Sequence, residues 1–78
     1  MDIKELQYFK TVCEQKSITQ AAYSLYMTPQ GLSKVMKNME AELGATLLIR
    51  SGSGVTLTES GKYLKLKKKK FWGWGVPR

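Results

Sequence analysis

The side chains with the most chemical capacity lie between positions 28 and 50, and their types suit recognition better than bond-making. Gln30, Ser33, Lys34, Lys37 and Asn38 recur at spacings that place them on one side of a helix. There two amides, a hydroxyl and two ammonium groups can exchange hydrogen bonds with a ligand. Taken alone, such a side is also what any solvated helix face looks like. Catalysis has little to work with. The chain contains no histidine and one cysteine, Cys13, which removes the commonest general base and any Cys/His metal cluster. No enzyme activity, catalytic residue, metal or cofactor is expected. Cys13 has no internal disulfide partner, and its place on an inward helix face suits a small buried apolar residue.

The polar side needs helices to position it, and the sequence marks their boundaries. Asp2 followed by Glu5 has the spacing of a capping box, and Leu6, Phe9, Val12 and Cys13 then recur at three and four residues, which predicts a helix over 3–15. Ser17-Ile18-Thr19 interrupts it, with Thr19 the expected N-cap of a short second helix whose inward side is Ala21, Ala22 and Leu25. Thr28 as N-cap and Pro29 at the first helical position predict a third helix over 29–43, which Gly44 ends as a left-handed residue. On that helix Leu32, Val35, Met36, Met39 and Leu43 share an arc of about 100° and are expected to point inward. The polar residues above occupy the opposite side. Leu47 to Arg50 and Val55 to Leu57 are β-prone runs around the turn Ser51-Gly52-Ser53-Gly54, and Thr58 can cap a fourth helix beginning at Glu59. The expected fold is mostly α with a small β-hairpin, in the order helix, helix, helix, hairpin, helix. That is the order of a winged helix-turn-helix, in which two helices brace a third so that its outer face can enter a major groove about 12 Å wide.

Charge adds less than its total suggests. The net charge of +7 looks like a nucleic-acid signature, yet residues 1–64 hold seven basic against six acidic side chains, a balance of +1. Lys65, Lys67 to Lys70 and Arg78, with no acid among them, supply the other +6. The start, Met1-Asp2-Ile3-Lys4-Glu5, lacks the features of a signal peptide, and no run approaches the roughly 20 apolar residues of a membrane span. A soluble, cytoplasmic protein with no membrane contact is the expectation.

Leu6-x-Tyr8-Phe9, Ser17-Ile18-Thr19-x-Ala21-Ala22-x-x-Leu25, Leu32-Ser33-Lys34, Leu43-Gly44-x-x-Leu47-x-x-Arg50 and Leu57-Thr58-Glu59-x-Gly61 together resemble the N-terminal domain of LysR-type transcriptional regulators over about residues 1–64. The resemblance implies a bacterial transcription factor whose third helix reads double-stranded DNA as half of a dimer, with the fourth, linker helix joining two copies. It also implies that Thr28, Pro29, Gln30, Ser33 and Lys34 face the DNA, and that Arg50 lies near phosphate. With it come two assignments: base readout by Gln30, Ser33 and Lys34, and phosphate positioning by Lys37, Arg50 and the backbone amides opening the second and third helices. Three positions depart from the family pattern. Pro29-Gln30 reverses the frequent Gln-Pro and so rotates the amide by about 100°. Lys34 replaces a frequent Arg and lacks its planar fork. Ser53 stands at a wing tip that is often basic, which predicts weak contact from the wing.

Residues 65–78 form a second segment, a basic and aromatic tail without room for a small-molecule effector pocket. Its lysine run followed by Phe71-Trp72-Gly73-Trp74 is open to two readings, a truncated linker helix or the product of a shifted reading frame, since lysine codons form long adenine runs. Two other functions compete with DNA binding: a protein-interaction module, compatible with the small charge of residues 1–64, and a membrane-surface peptide in which the lysines meet anionic lipid.

Overall fold

The computed structural model describes residues 2–52 and 54–72, in the order α1 (Ile3–Gln15), α2 (Ile18–Ser24), α3 (Pro29–Leu43), β1 (Leu48–Ser51), β2 (Gly54–Leu57) and α4 (Glu59–Trp72). The architecture is the predicted one. Ser53 and residues 73–78, and with them the expectations about the wing tip and the end of the tail, lie outside the described residues.

Capping explains most of the boundaries. The Asp2 carboxylate accepts from the Glu5 amide at 2.8 Å while the Glu5 carboxylate accepts from the Asp2 amide at 3.0 Å, so two amides that the helix leaves unpaired are satisfied reciprocally. Thr28 Oγ1 accepts from the Gly31 amide at 3.0 Å, with Pro29 first in α3, and Gly44 ends that helix at φ 68°. The start of α2 corrects the sequence reading. Its N-cap is Ser17, whose Oγ accepts from the Gln20 amide at 3.1 Å, and Thr19 is already inside the helix. The reason lies one residue earlier. Lys16 takes the left-handed conformation at φ 56° and reverses the chain in a single step, so extended Ser17 immediately faces the opening turn of α2.

The buried side chains come from every element: Leu6, Phe9 and Val12 from α1, Ala21 and Ala22 from α2, Leu32, Met36 and Met39 from α3, Leu48 and Val55 from the strands, Leu64 from α4, and Leu47 just before β1. The two alanines let α1, α2 and α3 approach closely. Cys13, Leu25 and Val35 pack against this cluster half-buried. Leu43 departs from the expected inward arc, at 42% exposure. The chain turns at Gly44, and Leu47 takes the core position on its return at 2% exposure, leaving Leu43 on the rim of a groove beside α4.

The hairpin is clamped to this body from three directions. The Glu40 carboxylate on α3 accepts from the amides of Leu47 and Leu48 at 2.7 and 3.1 Å, and the Val55 amide donates to the Lys16 carbonyl at 3.1 Å. The Thr58 amide donates back to the Leu47 carbonyl at 3.0 Å, while the Thr58 hydroxyl donates to the Thr46 carbonyl. Gly54 fits because a side chain there would collide with the Lys16 carbonyl, and its φ of 139° excludes most other residues as well.

Candidate nucleic-acid interface

The start of α3 presents the predicted polar side to solvent. Gln30, Lys34 and Lys37 are exposed, as is the capping Thr28, whereas Pro29 and Ser33 are half-buried. α3 buries the side carrying Leu32, Met36 and Met39, which leaves the opposite side no alternative but to face outward.

Ser33 is half-buried because the hairpin reaches over to it. Arg50, on β1, donates from Nη1 to Ser33 Oγ across the gap between the wing and α3. Arg50 pairs in register with Val55, the residue held by the Lys16 carbonyl, and lies two positions beyond Leu48, the second amide held by Glu40. Its backbone position relative to α3 is therefore set by the clamps and not by the side-chain bond alone.

These elements enclose an open groove of about 520 Å³, whose walls include Thr19 on α2, Gln30 and Ser33 on α3, and Arg50 and Gly52 on the hairpin. The groove brings together four of the seven predicted site residues: Pro29, Gln30, Ser33 and Arg50. Thr28, Lys34 and Lys37 lie outside its lining. Ser17 and Thr19 also border it, and sequence reasoning assigned neither side chain a ligand-facing role; their signal was the helix-start pattern, which marks where backbone amides point. Among the described residues no carboxylate lines the groove. The partial positive charge at the start of α3 and the Arg50 guanidinium therefore act without local opposition, an arrangement suited to an anionic, hydrogen-bonding ligand.

Burial pushes the Cys13 thiol from 9.0 to about 12, only partly offset by Lys65 nearby. It stays protonated near neutrality, as the reading of a small buried residue anticipates. Among the described residues no group of three or more His, Cys, Asp or Glu is placed to hold a metal, and no helix is long and apolar enough to cross a membrane.

Known proteins share both sequence and fold. The chain is 48% identical over 57 residues to YwbI of Bacillus subtilis, an uncharacterised HTH-type transcriptional regulator, a match covering 73% of this chain and 19% of that protein. It is 41% identical over 64 residues to the nitrogen assimilation regulatory protein nac of Klebsiella aerogenes, covering 82% of this chain and 21% of the relative. The chain thus spans about a fifth of the length of these curated relatives. Among solved structures, the complex of the CbnR DNA-binding domain with DNA superposes at a TM-score of 0.86 with 30% identity, covering 94% of this chain and 84% of that one. The complex of the BenM DNA-binding domain with catB site 1 DNA gives 0.86 with 34% identity, covering 94% and 81%. The sequence profile described as "Bacterial regulatory helix-turn-helix protein, lysR family" matches residues 3–62, and the chain belongs to that family.

Proposed function

We propose that this chain is a sequence-specific, double-stranded DNA-binding module of a LysR-type transcription regulator, with α3 seated in the major groove. The observation that carries the reading is the groove in which the start of α3, Gln30, Ser33 and Arg50 converge, with no carboxylate among its described lining residues. CbnR and BenM, whose DNA-binding domains share this fold, are seen bound to DNA, which supports the same use here. Gln30, Ser33 and Lys34 read bases. Thr28 and Pro29 shape the amide-rich start of α3 against the backbone, and Lys37 and Arg50 meet phosphate. The activity is regulatory binding in the bacterial cytoplasm and not catalysis. Residues 1–64 are the binding domain, and 65–78 are a basic and aromatic tail, a truncated linker helix or the product of a shifted reading frame.

A dimer through α4 accompanies this reading. Tyr63 and Leu66 on α4 and Leu43 on α3 are exposed apolar side chains, and Leu43 and Tyr63 border a groove of about 410 Å³ together with Leu47 and Leu64. A second copy would cover them.

The test is selection of bound duplexes from a random-sequence pool by the purified chain, followed by titration of the recovered site in rising salt. An inverted repeat is expected, with log affinity falling against log salt by about 0.9 for each phosphate neutralised. Binding without salt dependence, or a pool without enrichment, overturns the proposal and favours a protein partner.

A further inference from the structure

We infer that Arg50 sets sequence preference by acting through Ser33, fixing that hydroxyl as a donor to acceptor-bearing base edges. The inference rests on the DNA-binding proposal and deepens it, because a phosphate-neutralising Arg50 needs no bond to the helix that reads bases.

The geometry starts with the bond itself, from Arg50 Nη1 to Ser33 Oγ. A serine hydroxyl has one proton to donate and two lone pairs to accept with, and its rotor normally turns to suit whichever partner arrives. Here one lone pair is occupied by a cationic donor. A second donor, such as the exocyclic amine of cytosine or adenine, would approach an oxygen already flanked by a guanidinium and would meet its positive charge. An acceptor draws the remaining O–H outward and is attracted by the same charge. In the major groove guanine offers O6 and N7 and thymine offers O4 as acceptors, whereas cytosine offers only its N4 amine. The Ser33–Arg50 pair is thus biased toward guanine or thymine and against cytosine.

Two further features make the bias a property of the fold. The hairpin that carries Arg50 is clamped by Glu40 on one strand and Lys16 on the other, so the backbone from which Arg50 reaches Ser33 is set before any ligand arrives. Guanidinium also has five N–H donors in a planar fork. One can hold Ser33 while others turn to a phosphate, so the wing's grip on the backbone and the helix's reading of a base are coupled through a single side chain. Arg50 is in this sense a positioning residue for Ser33.

The experiment measures affinity by fluorescence anisotropy for the duplex recovered from the random pool and for every single-base-pair variant of it. It uses the full chain and the variants Ser33→Ala, Arg50→Gln, Arg50→Lys and Ser33→Ala/Arg50→Gln. The unaltered chain is expected to favour guanine or thymine over cytosine by about three- to tenfold at one position of each half-site, the size of one hydrogen bond. Ser33→Ala and Arg50→Gln should each flatten that position, and the double variant should flatten it no further. Arg50→Lys should recover overall affinity, since a point charge serves a phosphate, without recovering the preference. The inference is overturned if Arg50→Gln weakens all duplexes by one common factor while the Ser33-dependent preference persists, if Arg50→Lys restores both, or if cytosine is the favoured base there. A pool that yields no enriched duplex overturns the DNA reading itself, and the two failures are thereby distinct.

Discussion

Lys34 shows what a single side chain can decide on this surface. Exposed on the outward side of α3 one residue beyond Ser33, it can reach a guanine edge or a phosphate, and the two uses leave different traces. Replacing Lys34 with Ala should weaken binding to the preferred duplex by about 1–3 kcal/mol and relax preference at one position if it reads a base. A loss of equal size on every duplex would assign it to phosphate. Cys13 gives a prediction of another kind. Its thiol is raised from 9.0 to about 12 by burial, so the folded state holds the proton more tightly than the unfolded chain. That contribution to stability is fully present below pH 9 and is lost as pH climbs toward 12. The urea midpoint should therefore fall more steeply with pH above about 9 in the unaltered chain than in Cys13→Ala. The difference in slope between the two proteins is the quantity to read. Parallel slopes would mean that the thiol is better solvated than its packing against the core implies.

At the scale of elements, legibility followed locality. Asp2 with Glu5, and Thr28 with Pro29 and Gly44, place the decisive signals within a few residues of the helix ends they set, and the start of α1 and both ends of α3 could be read directly. The start of α2 could not, because two hydroxyl residues flank Ile18 and only the left-handed turn at Lys16 decides between them. Glu40 was equally opaque. Its carboxylate holds amides seven and eight residues away, and nothing local distinguishes it from the neighbouring Glu42 of α3. The Ser33–Arg50 bond spans 17 residues and depends on a hairpin whose placement is tertiary. The inward arc of α3 was legible except at its last position, where the chain reversal gives the core site to Leu47. Leu32→Ala and Met36→Ala should each lower unfolding free energy by about 2–5 kcal/mol, measured by urea denaturation. Leu43→Ala should shift it far less, and equal losses at all three would mean that Leu43 is covered in solution by another copy. Gly61→Ala tests the seam between α4 and the hairpin. A β-carbon there would overlap the Leu47 carbonyl oxygen, so this substitution should destabilise the chain although alanine is the better helix former. An increase in midpoint would mean that α4 can withdraw from the hairpin without loss.

Over the whole molecule, most of the net charge and the groove proposed to read bases lie in different places. Residues 1–64 carry a net charge of +1, and the groove that gathers Gln30, Ser33 and Arg50 belongs entirely to them. Most of the remaining charge sits on Lys65 and Lys67 to Lys70, within the span of α4. Cutting the chain at residue 65 would interrupt that helix just after Leu64, a core residue, so neutralisation in place is the cleaner test. Substituting Lys67, Lys68, Lys69 and Lys70 with Gln removes four positive charges while keeping good helix formers in α4. If those lysines lie along the DNA backbone, nonspecific affinity should fall and the slope of log affinity against log salt should flatten by about 0.9 for each phosphate no longer neutralised. If base readout stays with α3 as proposed, the ratio of specific to nonspecific binding should hold or rise. Lys67 places its ammonium 5.8 Å from the centroid of the Tyr63 ring, close enough for cation–π attraction, so part of this charge already has a use within α4. An unchanged slope would mean that none of the four lysines meets DNA and would favour an anionic lipid surface as their partner, a case that co-sedimentation with anionic vesicles would decide. Loss of preference for the selected site by a chain that remains folded would show that the α4 extension contributes dimer contacts, and that specificity depends on two copies held together and not on α3 alone.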